Sequence, residues 1–473
     1  MGVHMISNTA LHPTTIVILG GTGDLAKTKL FPALLDLYVA GKLPERFSII
    51  GLSRKELTDE AYQSFVQESI QAKGHPHSPE TVTDFCSHIR YVAGSFDDAS
   101  SYERIKVALK KHDDAIGQCT NKLFYLAVPP HHYEMIFDQL HNSEAMALCD
   151  GESSWARLLV EKPFGRDLAT ARVLEQKLCS LFGDEQIYRI DHYLAKDAIE
   201  NIVALRFVNT VLADSWDGKA IESIAIKLLE TKDVSNRGSF YDAIGTLRDV
   251  GQNHMLQIFA LLTMPPADIQ DAQAIRAART NALQALMSQV STNVVRGQYD
   301  GYTEADGVAD KSDTETYFKL SFTLDAAPWQ DTTFTLEAGK ALNEHINEAV
   351  ITFRPRNQCH CAAQTEPHEH RNVLRIQFAP EQRIDISMWT KAPGFAFTLR
   401  EQELTLVSNV GEDVASPEAY ERVLFDCITG DQTRFVSGDE VELAWQFITP
   451  ILEQFKTLPL YPYEPGSPGP VVE

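Results

Sequence analysis

The sequence has few basic side chains for its length. Its 473 residues include 42 Lys and Arg against 65 Asp and Glu, so the formal net charge is −23 at pH 7. Proteins that bind nucleic acids or anionic membranes need basic surface, because those partners are held largely through their negative charge. The composition therefore argues against both partners. A phosphorylated ligand would have to meet a local cluster of Lys, Arg or helix N-termini.

Cysteines are also few, and long apolar runs are missing. The seven Cys are an odd number with no paired framework, which is typical of a reducing compartment. No apolar run of the sequence approaches the ~18 residues that a membrane span requires. The N-terminal stretch lacks the basic start and the apolar run of a signal peptide. We therefore expect a cytoplasmic protein with no membrane partner.

The first part of the chain alternates short apolar runs with amphipathic stretches. At ~150 residues per domain, two or three domains are expected. Strands that alternate with helices predict βαβ units, so we expect a Rossmann-type, doubly wound α/β domain with a mostly parallel sheet over residues 10–195. The predicted strands are Ile16–Leu19, Phe47–Ile50, Ile89–Val92, Leu123–Val128, Leu158–Val160 and Ile187–Ile190.

After this region the pattern changes. A strand at Ile221–Glu230 and long helices at Phe240–Leu262 and Asp271–Gln289 are followed by strands without intervening helices. That order favours a mainly antiparallel sheet in an α+β domain over residues 196–473. The remaining predicted elements are strands at Tyr317–Leu324, Thr332–Leu336, Ala349–Phe353, Val373–Phe378, Arg383–Trp389 and Phe395–Leu399, helices at Pro417–Thr429 and Asp439–Phe455, and an extended or irregular tail from Leu458.

A glycine-rich turn joins the first predicted strand to the first predicted helix. Gly21, Gly23 and Ala26 fit the spacing G-x-G-x-x-A, and an amphipathic helix follows to about Leu37. Backbone N–H groups and a helix dipole in this context hold a pyrophosphate, which favours a dinucleotide loop over a plain tight turn. The predicted cofactor-binding residues of the turn are Gly20, Gly21, Thr22, Gly23, Asp24 and Leu25.

The end of the second predicted strand indicates which dinucleotide would bind. An NAD site usually places Asp or Glu there for the ribose hydroxyls, whereas Ile50–Lys55 contains no acid and ends in two bases. Arg54, with Lys55 beside it, suits the 2′-phosphate of NADP. The alternative is a solvated basic turn with no ligand.

Two further segments predict a site for a phosphorylated substrate. Lys162 follows the fifth predicted strand and therefore lies at the carboxyl edge of the sheet, where doubly wound folds bind ligands. His192, Tyr193 and Lys196 follow the sixth strand. If His192 starts the next helix, Lys196 shares its helix face, and the group outlines a phosphate site near a helix N-terminus.

A polar cluster, Gln252–His254, interrupts the long predicted helix over Phe240–Leu262. A single histidine among apolar neighbours is more often a satisfied core residue than a functional one. The cluster alone therefore leaves the role of His254 open.

Together these segments resemble the glucose-6-phosphate dehydrogenase family over nearly the whole chain. The resemblance implies a Rossmann domain followed by a β+α domain whose large sheet serves dimerisation. It also implies oxidation of glucose 6-phosphate to 6-phosphoglucono-1,5-lactone with NADP. The matching segments are GGTGDLAKTKLFPAL from Gly20, EKPFG from Glu161, RIDHYLAKD from Arg189, RDVGQNH from Arg248, GKALNE from Gly339 and YPYEPGSPGP from Tyr461.

The resemblance assigns roles at matching positions. His254 matches the catalytic base, and Asp191 matches the carboxylate that orients its imidazole. Lys162 matches a lysine between substrate and cofactor. The other matches with substrate-binding residues are His192, Tyr193, Lys196, Glu230, Asp249 and Lys340, and those with cofactor contacts are Thr22, Lys29, Arg54 and Lys162.

The chain departs from the family pattern at one substrate position. His345 stands where the family usually carries Lys or Arg near the substrate phosphate, five residues after Lys340. We count His345 among the substrate-binding residues. Because imidazole changes its charge near neutral pH, we expect the phosphate affinity of this site to depend on pH.

A second departure is a tract rich in Cys and His that matches no family motif. Cys359 and Cys361 are one residue apart, as are His368 and His370. These spacings are too tight for an ordinary tetrahedral zinc site, so we predict a solvated loop and no metal.

The expected partners are glucose 6-phosphate, NADP and a second copy of the chain. NAD could be tolerated as a second cofactor, and the assembly would be a homodimer or homotetramer. One alternative is another sugar oxidoreductase with an E-K-P motif, which would not need the pair His192 and Lys196. Another is an NADP-binding sensor without catalysis, against which the presence of both Asp191 and His254 argues.

Overall fold

The structure is a computed structural model that describes residues 11–74, 76–148, 154–355, 370–407 and 416–472. The Cys/His-rich tract lies outside the described residues apart from His370. The strands are β1 Thr14–Leu19, β2 Phe47–Ser53, β3 Ile89–Ala93, β4 Asn121–Leu126, β5 Ala156–Val160, β6 Ile187–Ile190, β7 Ile221–Leu229, β8 Gln289–Tyr299, β9 Tyr317–Leu324, β10 Thr333–Gly339, β11 Ile346–Phe353, β12 Val373–Ala379, β13 Arg383–Lys391, β14 Leu399–Val407, β15 Phe435–Val436 and β16 Leu460–Tyr463.

The described residues also form helices, and two of these helices begin with π-helical segments. The π-helices are Ala26–Leu30 and Leu247–Met255. The α-helices are α1 Phe31–Val39, α2 Asp59–Ala72, α3 Pro79–Ser87, α4 Ala99–Ile116, α5 Tyr133–Asn142, α6 Leu168–Leu181, α7 Asp197–Val208, α8 Thr210–Ala213, α9 Gly238–Asp242, α10 Leu256–Thr263, α11 Ala272–Ala285, α12 Ala419–Thr429 and α13 Gly438–Phe455.

The chain divides into two compact units. Unit 1 contains residues up to Gly165, residues 169–195 and residues 417–438, and unit 2 contains 166–168, 196–416 and 439–473. The two-domain prediction placed all of 196–473 in the second domain. Helix α12 instead joins the core of unit 1, where Val423, Leu424 and Cys427 are buried.

Unit 1 is built on a seven-stranded sheet in the order β15-β6-β5-β4-β1-β2-β3. Its pairs are parallel except β15 with β6. This confirms the Rossmann-type fold predicted for the first part of the chain. Strands β1, β2 and β4 are buried along their whole length, as their apolar runs predict. The strand order reverses between β1 and β4, and such switch points are where doubly wound folds bind ligands.

Unit 2 is built on a nine-stranded sheet in the order β14-β13-β12-β11-β7-β10-β9-β8-β16. The sheet is mainly antiparallel, as predicted, with two parallel pairs, β7 with β10 and β8 with β16. Strands β8 and β16 were not predicted. Strand β16 contains Pro462, which a sheet tolerates at its edge because the missing N–H is not needed there. The strand predicted at Phe395–Leu399 is wrong, since β14 begins only at Leu399.

The single long helix predicted over Phe240–Leu262 is also wrong. Gly245 has φ +74°, a left-handed conformation that ends α9 and separates it from the next helical segment. That segment is a π-helix of nine residues that continues into α10. Sequence periodicity cannot distinguish this arrangement from one α-helix with an internal glycine.

The described cysteines differ in their state. Cys119, which is buried in unit 1, is disulfide-bonded. Cys86, Cys179 and Cys427 are free.

Candidate active site

The glycine turn after β1 fits closely against its neighbours in unit 1. Gly20 has φ +92°, and a Cβ atom on it would lie 2.3 Å from the carbonyl oxygen of Ala127. A Cβ atom on Gly21 would lie 2.4 Å from the hydroxyl of Tyr62, which donates a hydrogen bond to the carbonyl of Gly21. Both positions therefore exclude a larger side chain, as in the tight turn between strand and helix of a dinucleotide loop.

The first π-helix starts directly from this turn. The N–H of Lys27 donates to the carbonyl of Gly23 at 3.1 Å, so the turn and the helix form one continuous segment. Backbone N–H groups at the start of such a helix suit a pyrophosphate. Lys29 lies on this segment, with its ammonium 3.8 Å from a carboxylate oxygen of the exposed Glu418.

The end of β2 places Arg54 beside the glycine turn. The hydroxyl of Thr22 donates to that of Ser53 at 3.0 Å, and Arg54 follows as an exposed side chain. Sequence reasoning missed two residues near this corner, His131 and His132. The pKa of His132 lies below its usual value, mainly because of burial and further because of the charges of His131 and Arg54. The signal was a pair of histidines shortly after β4, at the same edge of the sheet.

The residue before Lys162 is clamped by aromatic side chains. The hydroxyl of Tyr125 donates to the Glu161 carboxylate at 2.5 Å, and that of Tyr133 donates to the Glu161 carbonyl at 2.9 Å. Burial raises the pKa of the Glu161 carboxyl. Glu161, which lies between β5 and Lys162, is therefore held through both its side chain and its backbone carbonyl.

Arg189 anchors the strand that presents Asp191 and His192. Its guanidinium is buried and donates two hydrogen bonds to one oxygen of Glu175 at 3.1 and 2.6 Å. Asp191 is buried and accepts from the N–H of Tyr193 at 3.0 Å. The imidazole of His192 packs edge-on against the ring of Tyr193, with the ring centroids 5.3 Å apart. The structure thus brings three predicted site residues together at the end of β6.

The predicted helix start at His192 is wrong. Residues after Asp191 form turns, and α7 begins at Asp197 with Lys196 as its N-cap residue. Lys196 therefore shares no helix face with His192. It stands instead at a helix N-terminus in unit 2, where the helix dipole also favours an anion.

In unit 2, the ends of two parallel strands bring Glu230 and Lys340 together. Strands β7 and β10 pair Leu229 with Gly339, and the next residue of each strand carries the charged side chain. The ammonium of Lys340 lies 2.9 Å from a carboxylate oxygen of Glu230. Aromatic rings support this pair, since the ammonium lies 5.5 Å from the centroid of the buried Tyr241 ring.

His345 belongs to the same corner by strand register. Strand β11 runs antiparallel to β7 and pairs Ile346 with Leu229, so His345 stands opposite Glu230. Its side chain is exposed. Glu230 therefore lies between Lys340 on one neighbouring strand and His345 on the other.

The second π-helix carries Asp249 and His254. Hydrogen bonds of a π-helix join residues five apart, so these two residues stand one turn apart on the same side. In an α-helix the same spacing would separate them by about 140° around the axis. The His254 side chain is 1% exposed. After burial itself, the Asp249 carboxylate is the largest cause that raises the pKa of Tyr241, which places Asp249 near the ring under Lys340.

The predicted site residues thus fall into two groups. In unit 1 are those of the glycine turn and the ends of β2, β5 and β6, and in unit 2 are Lys196, Glu230, Asp249, His254, Lys340 and His345.

Two family models match the chain. The glucose-6-phosphate dehydrogenase NAD binding domain matches residues 17–201, and the glucose-6-phosphate dehydrogenase C-terminal domain matches residues 203–473. Between them the two models cover nearly all of the sequence.

Curated relatives and solved structures agree with these models. Glucose-6-phosphate 1-dehydrogenase of Bacillus subtilis is 35% identical over 96% of this chain and 94% of its own length. Cytoplasmic glucose-6-phosphate 1-dehydrogenase 6 of Arabidopsis thaliana is 34% identical over 96% of this chain and 89% of its own length. A solved glucose-6-phosphate dehydrogenase in complex with its substrate glucose-6-phosphate matches with TM-score 0.88 and 31% identity over 98% of this chain and 96% of that one.

A more distant likeness shows the fold alone. A levoglucosan dehydrogenase in complex with NADH and levoglucosan has TM-score 0.52 at 10% identity, over 94% of this chain and 98% of that chain. The two matched models and the two curated relatives are instead similar to this chain in sequence, and the solved glucose-6-phosphate dehydrogenase is similar in both sequence and fold. The chain therefore belongs to the glucose-6-phosphate dehydrogenase family.

Proposed function

We propose that this chain, an oxidoreductase of the glucose-6-phosphate dehydrogenase family, oxidises glucose 6-phosphate to 6-phosphoglucono-1,5-lactone with NADP. The observation that carries the proposal is the corner of unit 2, where Glu230 and Lys340 form an ion pair beside the helix of Asp249 and His254. This corner offers three kinds of group, namely hydrogen-bonding groups that can hold sugar hydroxyls, a base and a cation. The substrate named for the solved relative needs all three.

His254 is the proposed base. Its imidazole takes the proton of the C1 hydroxyl through a ring nitrogen while the C1 hydrogen leaves as hydride. NADP, when bound, supplies the nicotinamide ring that accepts this hydride. Asp249, Glu230 and Lys340 hold the sugar hydroxyls so that C1 stays in place. Asp191 and His254 belong to different units, and their pairing remains a prediction.

The substrate phosphate is proposed to bind His192, Tyr193, Lys196 and His345. Lys196 offers an ammonium at the N-terminus of α7. His345 offers an imidazole whose charge depends on pH. Lys162 is proposed to lie between substrate and cofactor.

NADP is proposed as the preferred cofactor, with NAD as a weaker one. The glycine turn joins β1 to a helix start, which is the arrangement that binds a pyrophosphate in dinucleotide-binding folds. The turn residues from Gly20 to Leu25 and Lys29 would hold the pyrophosphate. Arg54 follows β2 with no acid beside it and would meet the 2′-phosphate.

A homodimer or homotetramer is the proposed assembly. Strand β14 is an edge of the large sheet, and edges expose backbone groups that pair readily with a second chain. Its side chains Leu404, Leu406 and Val407 are 47–57% exposed. Light scattering would test this, and a monomer at micromolar concentration would contradict it.

The cellular location is proposed to be the cytoplasm. One curated relative is a cytoplasmic isoform, and others are chloroplastic. No helix among the described residues is long and apolar enough to cross a membrane.

The activity is tested by absorbance at 340 nm with four combinations of substrate and cofactor. Glucose 6-phosphate with NADP should give the highest kcat/KM, with NAD a lower value, and glucose with either cofactor little reduction. Reduction with glucose as readily as with glucose 6-phosphate would favour another sugar oxidoreductase. NADP binding without turnover would favour a sensor.

A further inference from the structure

A buried acid outside the predicted site holds the start of the second π-helix. Glu315 is 4% exposed and lies two residues before β9. Its carboxylate accepts the N–H of Leu247 at 3.0 Å. Its carbonyl accepts the N–H of Thr246 at 3.2 Å and the Thr246 hydroxyl at 3.1 Å. One residue therefore makes three hydrogen bonds to the first turn of the helix that carries Asp249 and His254.

The next residue of the chain holds Lys340. The carbonyl of Thr316 accepts the N–H of Lys340 at 2.9 Å. The hydroxyl of Tyr463 lies 2.9 Å from that of Thr316 and donates to the Lys340 carbonyl at 2.7 Å. Glu315 and Thr316 thus connect the second π-helix, which carries Asp249 and His254, with Lys340.

The packing leaves the Glu315 carboxylate little room to move. Gly245 has φ +74°, and a Cβ atom on it would lie 2.5 Å from the same oxygen that accepts from Leu247. Farther along the π-helix, a Cβ atom on Gly251 would lie 3.0 Å from the Phe318 ring of β9. Two glycines therefore allow the helix to approach the segment 315–318 closely.

A carboxylate here carries a burial cost that its contacts offset only in part. Burial raises the pKa of Glu315 to about 7, while the N–H of Leu247 and the charges of Arg248 and Arg296 act in the opposite direction. The tyrosines Tyr241 and Tyr302 also feel its charge. The first N–H groups of a helix have no partner within the helix, so an acceptor at this position replaces the missing bond.

We propose that Glu315 is a positioning residue, which fixes the first turn of the second π-helix and thereby places Asp249 and His254 relative to Lys340. This inference rests on the proposed roles of those three residues. Glu315 itself is not proposed to touch substrate or cofactor.

Steady-state kinetics test whether the site needs a hydrogen-bond acceptor at this distance or a negative charge. The variants are Glu315→Gln, Glu315→Asp and Glu315→Ala. An amide oxygen at the same reach can still accept from Leu247, so Gln should keep kcat within about threefold. Asp is one methylene too short and Ala has no acceptor, so kcat should fall about tenfold to a hundredfold in both, because small displacements of reacting groups are costly. KM for glucose 6-phosphate should change less than about threefold, since backbone bonds of Thr316 still hold Lys340.

Asp313→Asn is the matched control, because Asp313 is an exposed acid two residues away. It should match the wild type. An active Asp variant beside an inactive Gln variant would show that charge matters and would overturn the proposal. Wild-type kcat in Glu315→Ala would also overturn it.

Hydrogen exchange of the peptide 246–255 gives a readout that does not depend on turnover. Exchange in this peptide should be faster in Glu315→Ala than in the wild type and in Asp313→Asn, because the first turn has lost its acceptor. Unchanged exchange would overturn the proposal even if the variant were inactive. A wild type without glucose 6-phosphate oxidation would instead contradict the proposed function.

Discussion

The described part of the chain contains two π-helical segments, and their first turns are bonded in different ways. The segment Ala26–Leu30 continues directly from the glycine turn, with its first turn bonded to backbone atoms a few residues away. The segment Leu247–Met255 is held by Glu315, which is 68 residues away in sequence. π-Helical segments occur frequently at functional sites. In the nucleotide region, formed by the glycine turn and the first segment, the helix start is therefore bonded to nearby backbone. In the sugar region, formed by the second segment and Lys340, the helix start depends on a distant side chain.

The largest expected effect comes from the base of the sugar region. His254→Asn should lower kcat by ~10²–10⁴ with little change in KM, because the amide cannot accept the C1 hydroxyl proton. Initial rates at saturating glucose 6-phosphate and NADP measure this. His141→Asn, which changes an exposed histidine at the end of α5, is the control. A folded His254→Asn enzyme with near-normal turnover would exclude His254 as the base.

The second prediction concerns pH and the buried acid that supports the sugar region. Because burial raises the pKa of Glu315 to about 7, its ionisation opposes folding. The free energy of unfolding therefore falls by about 3 kcal/mol in total as pH rises from the ordinary carboxyl pKa to above 7. Glu315→Gln should therefore raise the unfolding temperature at pH 8, and the gain should shrink towards pH 5. An equal gain at both pH values would indicate a repacking effect unrelated to charge.

Arg54 tests the nucleotide region. Arg54→Ala should weaken NADP binding by ~1.5–3 kcal/mol, the scale of a hydrogen bond to a charged group, and leave NAD nearly unchanged. Dissociation constants from fluorescence titration measure both. Arg46→Ala, at the other end of β2, is the matched control because its side chain is also exposed. If NADP and NAD weaken equally, Arg54 has a structural role instead.

His345 should give the smallest effect. An imidazole loses its charge as pH rises, while an ammonium keeps it, so His345→Lys should lower KM for glucose 6-phosphate at pH 8.5. The difference from the wild type should narrow towards pH 7. Glu344→Gln, at the exposed neighbouring residue, controls for the change of net charge. Superimposable KM curves would show that His345 does not approach the phosphate.

The sequence allowed much of the nucleotide region to be predicted. Strands such as β1 and β4 are short apolar runs, and a turn that needs bare backbone leaves a visible pattern of glycines. The sugar region was harder to predict from the sequence. Gly245 in a helical pattern does not reveal its positive φ, and periodicity cannot predict that β7 pairs with β10, over a hundred residues later. The resemblance named Glu230 and Lys340, but only the strand register explains why they meet.

Interactions that depend on tertiary structure were missed for the same reason. Glu315 has no motif of its own, and its importance follows from its burial and from its bonds to residues 246–247. The expectation that a helix starts at His192 is wrong, because turns follow β6 before α7 begins at Asp197. Local patterns record local constraints, and these residues are constrained by distant ones.

The central claim is that hydride leaves C1 of glucose 6-phosphate for the cofactor while His254 takes the hydroxyl proton. Glucose 6-phosphate carrying deuterium at C1 tests it most directly, by mass spectrometry of the reduced cofactor. Hydride transfer from C1 should place one deuterium in the reduced NADP formed by the wild type, and the same label at a much lower rate in His254→Asn. Reduced cofactor without the label would exclude hydride transfer from C1.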